Sequence, residues 1–171
     1  MTATIRFAEI NDLPRVVEIY NQGVVAGNAN ADDTPVTVDQ RVNWFLDHDN
    51  NSFPVYILEL DQKIIGWGTL SSYRNGRNGL RTTAEISYYI DYEYHGKGYG
   101  KLLISHMITE TRRLGIQHLF AIMLDINPVS EAILKQFEFE KWGHLPKIVN
   151  LHGKICGQLI YGKNLNVSSA T

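Results

Sequence analysis

The stretch His95-Gly96-Lys97-Gly98-Tyr99-Gly100 constrains this chain most, because it joins a strand pattern to a helix pattern through closely spaced glycines. Before it, Glu85-Ile86-Ser87-Tyr88-Tyr89-Ile90 is β-branched and aromatic, the composition of a strand. After it, Leu102, Leu103, Met107, Ile108, Thr111 and Leu114 recur at the three- and four-residue spacing of one helix face, and Gly115 supplies the stop. Glycines at the mouth of a helix let the backbone turn tightly and approach a ligand, and the helix's first amides have no partners inside it. Such an end binds phosphate, although a plain glycine turn between strand and helix would carry the same residues. Neither common phosphate motif fits. A Walker loop needs glycine at 95 and Ser or Thr at 102, where His95 and Leu102 stand, and the dinucleotide pattern needs glycine at 101, where Lys101 stands.

A chain of 171 residues with 44% apolar content buries one proper core, so a single domain is expected over 1–165 with a polar tail over 166–171. A net charge of -2 without a long basic run argues against nucleic acid, so phosphate recognition must be local. No apolar run approaches membrane-spanning length and Met1 to Phe7 has no leader-like core, so a soluble cytosolic protein is expected. Cys156, the one cysteine, lies between apolar neighbours and reads as a buried strand thiol.

In chain order, Thr4 to Phe7 reads as a strand, with Asn11 and Asp12 as N-cap candidates for a helix carrying Leu13, Val16, Val17 and Tyr20. Gly23 to Pro35 reads as a loop, and Thr37 with Gln40 as the capping box of a second helix. Val55 to Leu60 and Lys63 to Leu70 form a hairpin about Asp61-Gln62, followed by a polar segment, Ser71 to Thr83, bearing Arg74, Arg77 and Arg81. Leu119 to Leu124 is a buried strand. Asn127-Pro128 starts a short helix, and Lys147 to Leu151 with Ile155 to Tyr161 closes the chain as a hairpin whose second strand Gly157 and Gly162 should weaken. The plan is mixed α/β, a central sheet covered on both faces with a ligand at a break near the strand ends.

Glu85, the Gly96 to Gly100 motif, the strand leading to Asn127 and the short helix before Phe139 resemble the GNAT superfamily of acyl-CoA-dependent N-acyltransferases. Tyr20-Asn21, Pro35-Val36-Thr37, Arg81 with Thr83-Ala84-Glu85, Asn127-Pro128 and Gly143-His144-Leu145 are similar to its phosphinothricin acetyltransferase branch. The resemblance implies a twisted mixed sheet that splays around Tyr89 to Asp91, and acetyl-CoA as cosubstrate with no metal. It implies cosubstrate contacts from Tyr89, Ile90, Asp91, His95, Gly96, Lys97, Gly98, Tyr99, Gly100, Lys101, Asn127 and Ser130, with Asn127 equally able to cap the following helix. Departures from the pattern are His95 for Arg or Gln, Glu138 for glycine, Leu134 where a Tyr or His acid is common, Ala31 and Thr34 for Phe and Glu, and Gly157 for Asp.

An amine attacks a thioester only as the neutral base, so a proton acceptor is required. Glu85, a carboxylate in an apolar strand, is the candidate, unless it faces solvent or pairs with Arg81. Arg74, Arg77, Arg81 and Tyr20 are the expected acceptor-binding residues, and a guanidinium there would clamp the carboxylate of an amino acid or analogue, unless the three loop arginines are simply a solvated surface. The other readings are a non-catalytic acyl-CoA-binding module and a polyamine or peptide acetyltransferase. The resemblance also implies a homodimer, for which Trp142, Leu145, Ile148 and Val149 would suit the contact unless they are ordinary core.

Overall fold

The computed structural model describes residues 2–165, so the tail expected over 166–171 lies outside the described residues. Its elements are β1 (Ala3–Phe7), α1 (Leu13–Ala26), α2 (Val38–Leu46), β2 (Val55–Leu60), β3 (Lys63–Ser72), β4 (Thr83–Ile90), α3 (Tyr99–Leu114), β5 (His118–Leu124), α4 (Pro128–Gln136), β6 (Glu140–Leu151) and β7 (Lys154–Asn164). Short 3₁₀ turns lie at Ile10–Asp12, Asn78–Leu80 and Tyr92–Tyr94. The order of strands and helices is the one expected from the sequence. Among the described residues no helix is long and apolar enough to cross a membrane.

The strands form one sheet in the order β1-β2-β3-β4-β5-β7-β6, antiparallel throughout except at β4–β5. That parallel pairing covers only Thr83, Ala84 and Glu85 against His118, Leu119 and Phe120. Past Glu85, β4 stays bonded to β3 as far as Ile90, while β5 stays bonded to β7 as far as Leu124. Each half keeps its stronger antiparallel partner, so the two halves part. The splay therefore opens directly after Glu85, earlier than the Tyr89 to Asp91 span expected. From Ile86 onward the edges of β4 and β5 that face each other have no sheet partner among the described residues, which suits an extended ligand.

Strand alternation sends side chains to two cores. Leu13, Val16, Val17 and Ile19 of α1 pack on Val55, Ile57 and Trp67, joined by Val42 and Phe45 of α2. On the other face Leu103, Ile104 and Met107 of α3 and Leu134 of α4 pack on Tyr56, Leu58, Ala84 and Ile86. Gly68 of β3 lets α3 lie close, since a Cβ there would stand 2.9 Å from the Met107 sulfur. The β2–β3 turn uses Asp61 and Gln62 at φ +48° and +68°, the twist-matched geometry of a two-residue hairpin.

Local departures have physical causes. Neither Asn11 nor Asp12 caps α1 by its side chain: the Asp12 carboxylate instead binds the Arg6 guanidinium at 2.7 and 2.9 Å and the Glu9 amide at 2.7 Å. The helix continues through Gly23 to Ala26, where a loop was expected, because Gly23 and Val24 are buried, and it ends at Gly27 with φ +63°. β6 starts at Glu140 rather than Lys147; its register slips between Lys141 and Gly143 and between Leu145 and Val149, which hides the alternation. β7 runs unbroken through Gly157 and Gly162. Each glycine admits a neighbour: the Trp142 indole lies on Gly162, and the Asp125 carboxylate and Leu145 carbonyl crowd Gly157. Val149 is buried with Leu124, Leu151 and Cys156, so it is core rather than contact surface.

Candidate active site

Where the sheet parts, a cavity of about 830 Å³ opens, walled by Tyr88, Tyr89 and Ile90 of β4, the start of α3 and the head of α4. Of the expected cosubstrate residues, Tyr89, Ile90, His95, Gly96, Gly98, Tyr99, Gly100, Lys101, Asn127 and Ser130 line it. Asp91 and Lys97 do not. The Asp91 side chain, 4% exposed, binds the Arg15 guanidinium and accepts from the Glu93 amide at 3.0 Å, which fastens the end of β4 to α1. Burial alone would raise the Asp91 pKa, but the Glu93 amide and Arg15 bring it below the usual range. Lys97 donates to the Glu93 carbonyl at 3.0 Å and lies over the Tyr94 ring, turned away from the cavity. His95 Nε2 donates to the Ile90 carbonyl at 2.8 Å, so its imidazole braces the free end of β4.

The mouth of α3 has the features an anion needs. Gly96 and Gly98 hold φ +74° and +86°, a conformation that other residues adopt at a cost, and nothing stands where their Cβ atoms would be. Gly98 is the N-cap and has no side chain, so the first-turn amides of α3 point outward unclaimed, and Lys101 adds a cation beside them. These residues fit the pyrophosphate of a coenzyme. Asn127 caps α4, its Oδ1 accepting from the Ser130 amide at 3.2 Å, while also lining the cavity.

Glu85 sits at the apex, the last residue of β4 to pair with β5. With Ser87 and Tyr89 it faces the α1–α2 side, whereas Ala84, Ile86 and Tyr88 face α3 and α4. Its carboxylate has no hydrogen-bond or ion-pair partner among the described residues, and burial raises its pKa. Arg81 does not pair with it, since its guanidinium donates to the Asn78 carbonyl at 3.1 Å.

The same face carries an aromatic wall that the sequence did not disclose. The Trp67 and Tyr89 rings stack at 4.7 Å, with Tyr20 edge-on to Tyr89 at 5.1 Å and Trp44 edge-on to Trp67 at 5.5 Å. Arg41 lies over the Tyr20 ring at 4.5 Å and reaches Asp32 at 3.1 Å. Tyr20 also donates to Asp32, and burial, then the bond to Asp32, push its hydroxyl up to about 12. Sequence reasoning passed over Arg41 and Trp44, whose three-residue spacing on α2 was the one local signal that could have found them. The meeting of Trp67 with Tyr89 follows only from strand register.

The three loop arginines do not converge on Glu85. Arg77 and Arg81 are solvent-facing near the Asn78–Leu80 turn. Arg74 lies over the Tyr73 ring, which packs edge-on at 4.6 Å against Phe120, the register partner of Glu85. Arg74 is thus the one whose contacts lead back to the apex.

The model of the acetyltransferase (GNAT) family matches residues 12–139. YwnH of Bacillus subtilis is 34% identical over 164 residues, which are 95% of this chain and 99% of that protein. The L-methionine sulfoximine/L-methionine sulfone acetyltransferase of Salmonella typhimurium is 30% identical over 145 residues, 85% of this chain and 84% of that one. A crystal structure of a phosphinothricin acetyltransferase from Sinorhizobium meliloti in complex with AcCoA superposes at a TM-score of 0.91 with 30% identity, covering 100% of this chain and 92% of the other.

Proposed function

The chain belongs to the acetyltransferase (GNAT) family, with acetyl-CoA as cosubstrate, and we propose that it acetylates the amine of a small amino-acid-like acceptor by direct transfer in a ternary complex. Acetyl-CoA supplies the activated acetyl thioester. The amides of α3 and Lys101 hold the coenzyme phosphates, and the free edge of β4 from Ile86 to Ile90 aligns its extended arm toward the apex. The observation that carries the reading is Glu85: a half-buried carboxylate with no hydrogen-bond or ion-pair partner among the described residues, at the point where the sheet parts. It takes the proton that an ammonium acceptor must lose before nitrogen can attack. Holding both substrates at one point removes much of the entropic barrier to transfer.

The acceptor carries an anionic group, for which Arg74 is the clamp, as it lies over the Tyr73 ring, which packs on Phe120, the register partner of Glu85. The sulfoximine acetyltransferase of Salmonella typhimurium, 30% identical, agrees with an acceptor of this class. The protein works as a homodimer, supported by Trp142, Leu145, Ile148 and Ile155, which stand 43% to 56% exposed on the β6–β7 edge of the sheet. The acceptor is tested with matched pairs of an amino acid and its decarboxylated amine on the wild type and on Arg74→Ala. The carboxylate should raise kcat/KM in the wild type by tenfold or more, as for roughly 1.5 kcal/mol from a charge-assisted bond, and Arg74→Ala should remove that preference. Equal rates for both amines would instead favour a cationic acceptor seated on Tyr20, Trp44, Trp67 and Tyr89.

A further inference from the structure

Leu134, 1% exposed on α4, faces the gap between β4 and β5 with no proton to give. A hydroxyl reaches the same gap from the opposite wall. Tyr88 lines both the large cavity and a chamber of about 70 Å³ between the parted strands, which Ile86, Met123, Asn127, Ser130 and Leu134 also wall. Its phenolic oxygen is buried and has no hydrogen-bond partner among the described residues. Ser130 comes near enough to favour the ionised phenol slightly, without completing a bond of normal geometry, while burial holds the group in its protonated form. A buried hydroxyl left unpartnered costs stability, and such groups persist where a ligand completes them.

We propose that Tyr88 is the proton donor to the departing coenzyme A sulfur, reaching it from the strand in place of a donor on α4. The proposal rests on the acetyl-transfer reading above. Glu85 and Tyr88 are three apart on β4, so alternation puts them on opposite faces of the sheet. The amine then approaches on the α1–α2 side with Glu85, and the sulfur leaves on the α3–α4 side toward Tyr88. The nitrogen–carbon bond forms, the carbon–sulfur bond breaks, and its electron pair goes to sulfur. The phenolic proton follows onto sulfur to give the free thiol. Glu85 takes the ammonium proton before attack and passes it to solvent, then takes the second proton that nitrogen loses as the amide forms. The phenolate regains one from water as the thiol departs, so of the two protons nitrogen gives up one is balanced on sulfur and one is released to solvent.

Calorimetric titration of wild type and Tyr88→Phe with coenzyme A and with desulfo-coenzyme A tests the contact apart from turnover. The wild type should bind coenzyme A about three- to tenfold more tightly than the form lacking sulfur, as for one neutral hydrogen bond, and the variant should bind the two alike. The kcat of Tyr88→Phe should fall roughly 10²-fold with its unfolding temperature unchanged or raised, since the lost hydroxyl had no partner. A sulfur preference that survives in Tyr88→Phe, or a kcat within twofold of wild type, would overturn the donor while leaving the transferase reading intact. A wild type that binds coenzyme A and transfers nothing would overturn both.

Discussion

Three carboxylates with different surroundings separate structure from chemistry in this protein. Asp12 and Asp91 are buried against arginines, and their pKa values fall below the ordinary range despite the opposing effect of burial. Both stabilise the fold above that range and lose their effect as pH falls through the lowered values. Glu85 has burial and nothing to oppose it. Its neutral form is favoured in the fold, so its contribution is complete below the ordinary carboxylate range and is lost as pH rises through the raised value. Glu85→Gln should therefore unfold near the wild-type temperature at about pH 4 and at a higher temperature at about pH 7, a difference calorimetry would read. The same change should slow turnover roughly 10²- to 10⁴-fold at neutral pH while acetyl-CoA affinity holds. The deficit should shrink in alkaline buffer, where the amine loses its proton unaided. An unchanged rate at neutral pH would remove Glu85 from the mechanism.

At the scale of elements, the junction of β4 with α3 was the most legible part of the chain. Gly96, Gly98 and Gly115 sit at positive φ where their neighbours announced a turn, a helix mouth and a helix stop. Asp61-Gln62 and the Thr37–Gln40 capping box were equally local and equally readable. What stayed hidden depends on register. The early splay at Glu85, the Arg15–Asp91 pair and the stacking of Trp67 on Tyr89 join residues far apart in sequence, which no local pattern encodes. Asp91 shows the effect: adjacent to the binding strand by sequence, it is turned inward by its bond to α1. Within the junction, Gly98→Glu would place a strained residue and a negative charge at the first-turn amides of α3, proposed above to hold the coenzyme phosphates. Acetyl-CoA affinity by calorimetry should fall at least roughly 10²-fold, given the loss of several charge-assisted bonds. Wild-type affinity would move the cosubstrate site elsewhere.

At the scale of the whole molecule, the two-sided sheet divides the work between its faces. In the proposed reading the gap and the mouth of α3 receive the cosubstrate, and the α1–α2 side, with Glu85 and the aromatic wall, receives the acceptor. The far edge of the sheet, β6 and β7, leaves Trp142, Leu145, Ile148 and Ile155 at the surface. Light scattering at micromolar concentration should give twice the 19.4 kDa chain mass, and Ile148→Asp should shift it toward monomer; a monomer mass for the wild type would end the dimer reading. The central claim is transfer itself, and one assay measures it: thiol release from acetyl-CoA in the presence of L-methionine sulfoximine or a panel of amino acids, with the acylated product quantified by mass. The account predicts saturable release matched one to one by N-acetylated acceptor and strongly reduced in Glu85→Gln. Release that stays at background for every acceptor, while acetyl-CoA binds tightly, would contradict it and leave an acyl-CoA-binding module.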